Sequence, residues 1–353
     1  MKKLLLKNTF FVSLGLLSLT VFTGCDKNDT DTPTAEYTNG VFVLNEGNYG
    51  KGNADNSFIN KNKNTVENNI FNKVNKRPAG DVIQSMFVLQ DRGYIVANNS
   101  NKVEIVNIKS FQTLGVISNL KQPRYFTAQD HAKGYVTEWG ITTDNSGTVS
   151  VIDLHSNAVT KTITVGKQPE QLLLHNNKLY VANYGETYLT VIDVATETVE
   201  STIQVGDGPK EFTMDAAGNI WVLCGGFYQP DFSTTPGSLV KFNPANPLGK
   251  TTFPLTSTFS QPEDLTLDGT KNKLYYSYAG GVYEMPVNAT AVPSTPIINR
   301  YCYGIGVDPA DNTIYGADAG NFSSNGQVIR YNTSGTAIDS FQVGVAPNGF
   351  IFR

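Results

Sequence analysis

Residues 180–222 read YVANYGETYLTVIDVATETVESTIQVGDGPKEFTMDAAGNIWV. One strand ends at Tyr180-Val181-Ala182-Asn183, and a second is Leu189-Thr190-Val191-Ile192-Asp193. A polar turn leads to a third strand over 198–205. The break Gly206-Asp207-Gly208-Pro209 then opens a short fourth strand over 211–214, and a Gly-Asn turn leads into Trp221. The alternation has period two, and Gly, Pro, Asn and Asp supply the breaks, so the stretch is strand and turn. No segment after the first 25 residues carries a convincing helical period.

The unit recurs. Its aromatic anchor stands at Phe42, Tyr94, Tyr135, Tyr180, Trp221, Tyr275 and Tyr315, at gaps of 52, 41, 45, 41, 54 and 40 residues. Four strands repeating every 40–45 residues or so is the pattern of a β-propeller blade. The two long gaps call for insertions, for which the Asn-rich run 53–75 and the Pro-rich run 227–262 are the candidates. Inner strands precede the anchors at 124–128, 170–174, 210–214, 263–267 and 303–307, but nothing precedes Phe42. The final segment 346–352 is an inner strand with no anchor after it. Pairing it with residues 40–44 completes an all-β, seven-bladed β-propeller of four-stranded blades and removes the open sheet edges.

The first 24 residues read as an export signal. Lys2, Lys3 and Lys7 precede an apolar run over 10–22 that is too short to span a membrane. The run ends Val21-Phe22-Thr23-Gly24-Cys25, which resembles a bacterial lipobox and makes Cys25 the expected lipidated residue; an ordinary secretory signal with a chance Cys is the alternative. Residues 25–38 then form a polar tether and 39–353 the propeller. Removing residues 1–24 takes away three lysines and no acid, which moves the formal charge from −4 to −7. That balance argues against nucleic acid and against electrostatic adhesion to anionic lipid, leaving the lipid as the only membrane contact. Cys224 and Cys302 lie two blades apart, which does not predict a disulfide, and no CxxC metal pattern is present. No cofactor or metal is expected.

The strand meander sorts the loops onto two faces. Naming the strands of a blade A to D from the axis outward, A–B and C–D turns emerge on one face, and B–C loops and D-to-A crossings on the other. The first face carries short polar turns and all three histidines, His131, His155 and His175, in separate turns. A His-centred site would need them to converge; solvated turn residues are the simpler reading. No nucleophile elbow or phosphate cradle is present.

The second face is rich. Its B–C loops include Asn45-Glu46-Gly47-Asn48-Tyr49-Gly50, Glu138-Trp139-Gly140-Ile141, Asn183-Tyr184-Gly185-Glu186-Thr187-Tyr188, a run from Phe227-Tyr228 to Phe232, and Asp318-Ala319-Gly320-Asn321-Phe322. Loops on a closed scaffold are where binding residues are expected, although single aromatics can also fold inward between blades. The crossings add Arg124 and Tyr125, Glu170 and Gln171, Lys210 and Glu211, Glu263 and Asp264, and Asn348 at the mouth of the central channel. Such a ring suits a large ligand with flat apolar area and peripheral amides or hydroxyls, and repels a simple anion. Mutual pairing of these charges is the alternative.

The runs Gly166-Lys167-Gln168-Pro169 … Leu179-Tyr180-Val181-Ala182-Asn183 and Gly206-Asp207-Gly208-Pro209 … Ile220-Trp221-Val222 resemble the repeat of YVTN-type bacterial propellers. The opening Val41-Phe42-Val43-Leu44-Asn45-Glu46-Gly47-Asn48-Tyr49-Gly50, with the lipobox-like leader, is similar to the cobalamin-binding surface lipoproteins of Bacteroidetes. That resemblance implies an outer-membrane lipoprotein facing the cell exterior. It would capture a corrinoid and pass it to a TonB-dependent outer-membrane transporter, with no enzymatic activity. A surface glycan-binding propeller, or a propeller lyase or hydrolase, are the other readings. Buried carboxylates with perturbed pKa values at the mouth would favour the enzyme. The expected ligand-binding residues are Trp139, Tyr184, Tyr188, Phe227 and Tyr228 as apolar walls, and Arg124, Asn183, Lys210, Asp318 and Asn321 as polar contacts.

Overall fold

Alternating strands of five to seven residues, cut by Asp, Asn and Gly turns, build seven antiparallel sheets in a ring. The computed structural model describes residues 37–140 and 146–353. The leader, Cys25, nearly all of the tether and Ile141 lie outside the described residues. Six blades carry four strands in meander order. In the sixth blade three strands pair, and the outer position is reduced to an isolated bridge between Val282 and Ile298.

The ring closes as the sequence predicts. The last strand, Pro347–Phe352, pairs antiparallel with Gly40–Asn45, setting Phe42 opposite Ile351 and Val43 opposite Phe350. The inner strand of the first blade therefore comes from the other end of the chain, and Gly40–Asn45 is paired on both sides.

All seven anchors are buried. Among the described residues the core divides into seven apolar clusters, one at each blade-to-blade interface. Tyr94 of the second blade stacks on Phe126 of the third at 4.2 Å. Each blade thus has two buried faces, which is why the strands carry apolar side chains at most positions next to the anchors.

The turn face is fastened by aspartates. Asp215 accepts the backbone N–H groups of Ala217 and Asn219, and its second oxygen accepts Trp221 Nε1 at 3.0 Å. Asp268 does the same for Asn272 and Lys273, and Asp308 for Ala310. Short polar side chains that bond their own turn are the reason these positions read as Asp and Asn.

Two expectations need correction. The Asn-rich run is not a bare insertion: it holds the strands Asp55–Asn60 and Thr65–Glu67 and a short helix, Ile70–Asn75, where no helix was expected. Six residues are too few to display a period. The helix is capped from elsewhere, by Asp55, which accepts the N–H groups of Phe71 and Asn72 at 2.8 and 3.0 Å. In the Pro-rich run, Ser238–Asn243 and Asn246–Pro254 are regular strands of the fifth blade, so the extra length sits only on either side of them.

Candidate functional site

In five of the seven blades the D-to-A crossing brings a residue to the axis at a shared register, immediately after a recurring proline. Arg124, Glu170, Lys210, Glu263 and Asn348 follow Pro123, Pro169, Pro209, Pro262 and Pro347. Proline fixes φ and needs no partner for an N–H, so it suits the start of an inner strand. Together with B–C loop residues these side chains enclose a bowl of about 620 Å³.

Of the ten residues expected there, Arg124, Trp139, Tyr184, Lys210 and Tyr228 line the bowl. The other five do not. Asn183 is fully buried beneath its loop, its Nδ2 donating to Tyr188 O and Thr190 Oγ1, both at 3.0 Å. Tyr188 begins the third strand of the fourth blade, outside the lining. Phe227 uses its backbone N–H to fix its own loop on Thr235 Oγ1. Asp318 is held by Arg300. Asn321 Oδ1 accepts the N–H groups of Ser323 and Ser324 in its own turn. Small polar residues in these loops are spent on loop geometry.

The bowl's charges are arranged in pairs. The Arg124 guanidinium contacts Glu170 through Nε at 3.1 Å to both oxygens, and lies 4.2 Å from the Trp139 ring centroid. Lys210 Nζ contacts Glu263 at 2.7 Å. Burial by itself would lower the pKa of Arg124 and of Lys210. Glu170 beside the first, and Glu263 and Glu211 beside the second, outweigh it and hold both above their ordinary values.

One position deeper, the side chains join the blades. Gln171 Oε1 accepts Phe212 N–H. Glu211 Oε2 accepts Leu265 N–H at 2.7 Å, and Asp264 Oδ2 accepts Ile305 N–H at 3.1 Å. Each bond runs from one inner strand to the next. Burial lifts Glu211 to about 7, against the opposing pull of Lys210. Burial, and then the charge of Glu211, raise Asp264 well above its ordinary value. Glu46 is raised by burial and partly relieved by hydrogen bonds from Tyr303 (3.0 Å) and Asn348 (2.9 Å).

Two polar atoms at the bowl have no hydrogen-bond partner among the described residues, the Nε1 donor of Trp139 and the Oδ1 acceptor of Asn348. Gln84 and Gln261 also line it and were not foreseen. Gln84 stands on one of two inner strands entered without a proline, so its register was hidden. Gln261 reaches the bowl from the Pro-rich run, accepting from Tyr184 O–H at 3.1 Å and donating to Gly226 O at 3.1 Å. On the opposite face His131 and His155 share a hollow of about 380 Å³, without His175. Among the described residues no group of three or more His, Cys, Asp or Glu is placed to hold a metal ion.

The family model for a domain of unknown function, DUF5074, matches residues 39–353. The chain belongs to this family. No curated protein matches it. Solved structures share the fold at low identity. A quinoprotein alcohol dehydrogenase-like protein from Bacteroides thetaiotaomicron VPI-5482 aligns at TM-score 0.65 and 14% identity over 90% of this chain and 78% of its own. A candidate 6-phosphogluconolactonase from Bacteroides fragilis NCTC 9343 aligns at 0.62 and 13%, over 89% and 98%. A functionally unknown protein from Desulfotomaculum acetoxidans DSM 771 aligns at 0.65 and 9%, over 89% and 99%.

Proposed function

We propose that this DUF5074 propeller is a ligand-capture protein that binds a corrinoid in the bowl and passes it to a TonB-dependent outer-membrane transporter. In this reading Cys25 carries the lipid that holds it at the cell surface. The observation that carries the proposal is the construction of the bowl. Its acidic side chains are committed to neighbouring blades or cations, while aromatic rings and the side chains of Gln84 and Gln261 line the space.

The chemistry fits a flat macrocycle edged with amides. Trp139, Tyr184 and Tyr228 supply stacking area. Amide groups of a ligand find hydrogen-bonding partners in the side chains of Glu46, Gln84 and Gln261. Five carboxylates, Glu46, Glu170, Glu211, Glu263 and Asp264, face two cations, Arg124 and Lys210. An anionic ligand is disfavoured by that excess.

Isothermal titration of residues 36–353 with cyanocobalamin tests the proposal. One-to-one binding at nanomolar affinity is the expected result. No heat, with no shift in melting temperature, would sink the corrinoid reading and send the same domain to a glycan array. Radiolabelled palmitate incorporation, lost in Cys25→Ala, tests the anchor.

A glycoside-cleaving enzyme is favoured by one observation, the raised carboxyl groups of Glu211 and Asp264. Against it, each carboxyl group already serves as a strut between inner strands, one oxygen accepting a backbone N–H of the next blade. Turnover of a chromogenic glycoside that disappears in Glu211→Gln would reverse this judgement.

A further inference from the structure

The wall of the bowl is uneven. The fifth blade joins its second and third strands through residues 225–237, and the seventh through 319–324. The sixth blade makes the same connection in two residues. Its strands Lys273–Tyr278 and Gly281–Pro286 are joined by Ala279 and Gly280, with φ of 48° and 80°. Positive φ at both central positions is the tight hairpin turn whose twist matches the strands, and it has no length to rise above the sheet. The rim is therefore notched at the sixth blade.

Beyond the notch lies a recess of about 210 Å³ that shares Tyr228, Gln261 and Glu263 with the bowl. Tyr228, Phe259 and Tyr301 stand around it with 70%, 82% and 50% of their surface exposed. Ser260, Ser277 and Glu263 line it. Lys210 engages Glu263 Oε2, and among the described residues Oε1 shows no hydrogen-bond partner. Ser260 and Ser277 use their oxygens to accept Ala279 and Asp264 N–H groups, which leaves each hydroxyl hydrogen to donate.

We infer that the recess is a second subsite, which grips a neutral, hydroxyl-bearing ring of the sugar class carried by a ligand that fills the bowl and leaves it over the sixth blade. The aromatic faces stack on the C–H face of such a ring. Glu263 Oε1 accepts from its hydroxyls, and the serine hydroxyls donate to its oxygens. A purely apolar ring would leave the serine hydroxyls unpaired. The inference rests on the bowl being the ligand site.

The test compares cyanocobalamin with cobinamide, the same macrocycle without its ribonucleotide, on the wild type, Phe259→Ala and Tyr301→Ala. Both side chains are exposed enough that thermal melts should stay unchanged. The expected result is about a tenfold loss for cyanocobalamin in each variant, with cobinamide bound equally by all three proteins. Equal binding of cyanocobalamin by all three would overturn the subsite and leave the bowl reading intact. Binding of neither corrinoid would defeat the bowl reading. The subsite is then decided by fluorine NMR of 3-fluorotyrosine-labelled protein titrated with methyl riboside. A saturable shift of the Tyr301 resonance, assigned with Tyr301→Phe, upholds it, and an unmoved resonance overturns it.

Discussion

The two ends of the propeller spend the same kinds of side chain differently. On the turn face a carboxylate such as Asp215 closes its own loop and holds the indole of Trp221. On the bowl face Glu211 and Asp264 sit under cover and reach across to the next blade, while large aromatics stand in solvent, Tyr49 at 79% and Phe232 at 89% exposure. Exposed aromatic area gathered at one end is not needed to hold seven interfaces together. Under the proposed function, the contrast gives stability to one end and recognition to the other.

That division can be broken in order of effect. Deleting residues 346–353 removes the closing strand and strips Gly40–Asn45 of its partner. The protein should lose its cooperative thermal transition altogether, read by circular dichroism. Asp215→Ala orphans the buried Trp221 Nε1 and two turn N–H groups, and should cost about 2–3 kcal/mol in denaturant melts without changing ligand affinity. A change in affinity would deny the separation. Trp139→Ala is the mirror case. Affinity for cyanocobalamin should fall about 10- to 100-fold by titration calorimetry, with the melting temperature within about 2 °C of the wild type.

Glu211 sharpens the comparison, because a recognition face built on buried acids should be sensitive to pH. Folding raises its pKa from 4.5 to about 7, so the folded protein holds the proton more tightly than the unfolded chain does. Its stabilising contribution is complete below the unfolded value and is lost as pH rises through about 7. Glu211→Gln keeps an oxygen for Leu265 N–H and should flatten that loss, gaining about 1–3 kcal/mol at about pH 8 relative to the wild type. An unaltered slope would assign the proton to Asp264. The smallest effect is reserved for Asn321→Ala, which should change affinity less than about twofold, since Asn321 ties only its own turn.

Repetition made the fold legible. Each blade restates the period-two pattern, so weak signals at single strands add up, and the missing inner strand before Phe42 pointed to its supplier at the other end of the chain. The helix Ile70–Asn75 was illegible because its cap, Asp55, lies on a strand. The face of the site followed from strand direction alone, but individual contacts did not. Asn183 stands in a loop of aromatic and polar residues that looks like its neighbours, yet it turns inward, whereas Tyr184 turns outward. Gln261 depends on a contact with Tyr184 that spans 77 residues of chain. Local pattern reports which end of a strand a loop occupies; side-chain direction within the loop depends on partners far away in sequence.

The placement of Pro347–Phe352 inside the first blade also orders events in time. As the chain emerges from its amino end, blades two to seven can dock one after another, each on a finished neighbour. The first blade cannot be completed until Pro347–Phe352 is released, and that step joins two segments about 300 residues apart in sequence. A stalled or clipped polypeptide stays an open arc with Gly40–Asn45 bare along one side. Until Pro347–Phe352 is seated, that edge stays open to proteases.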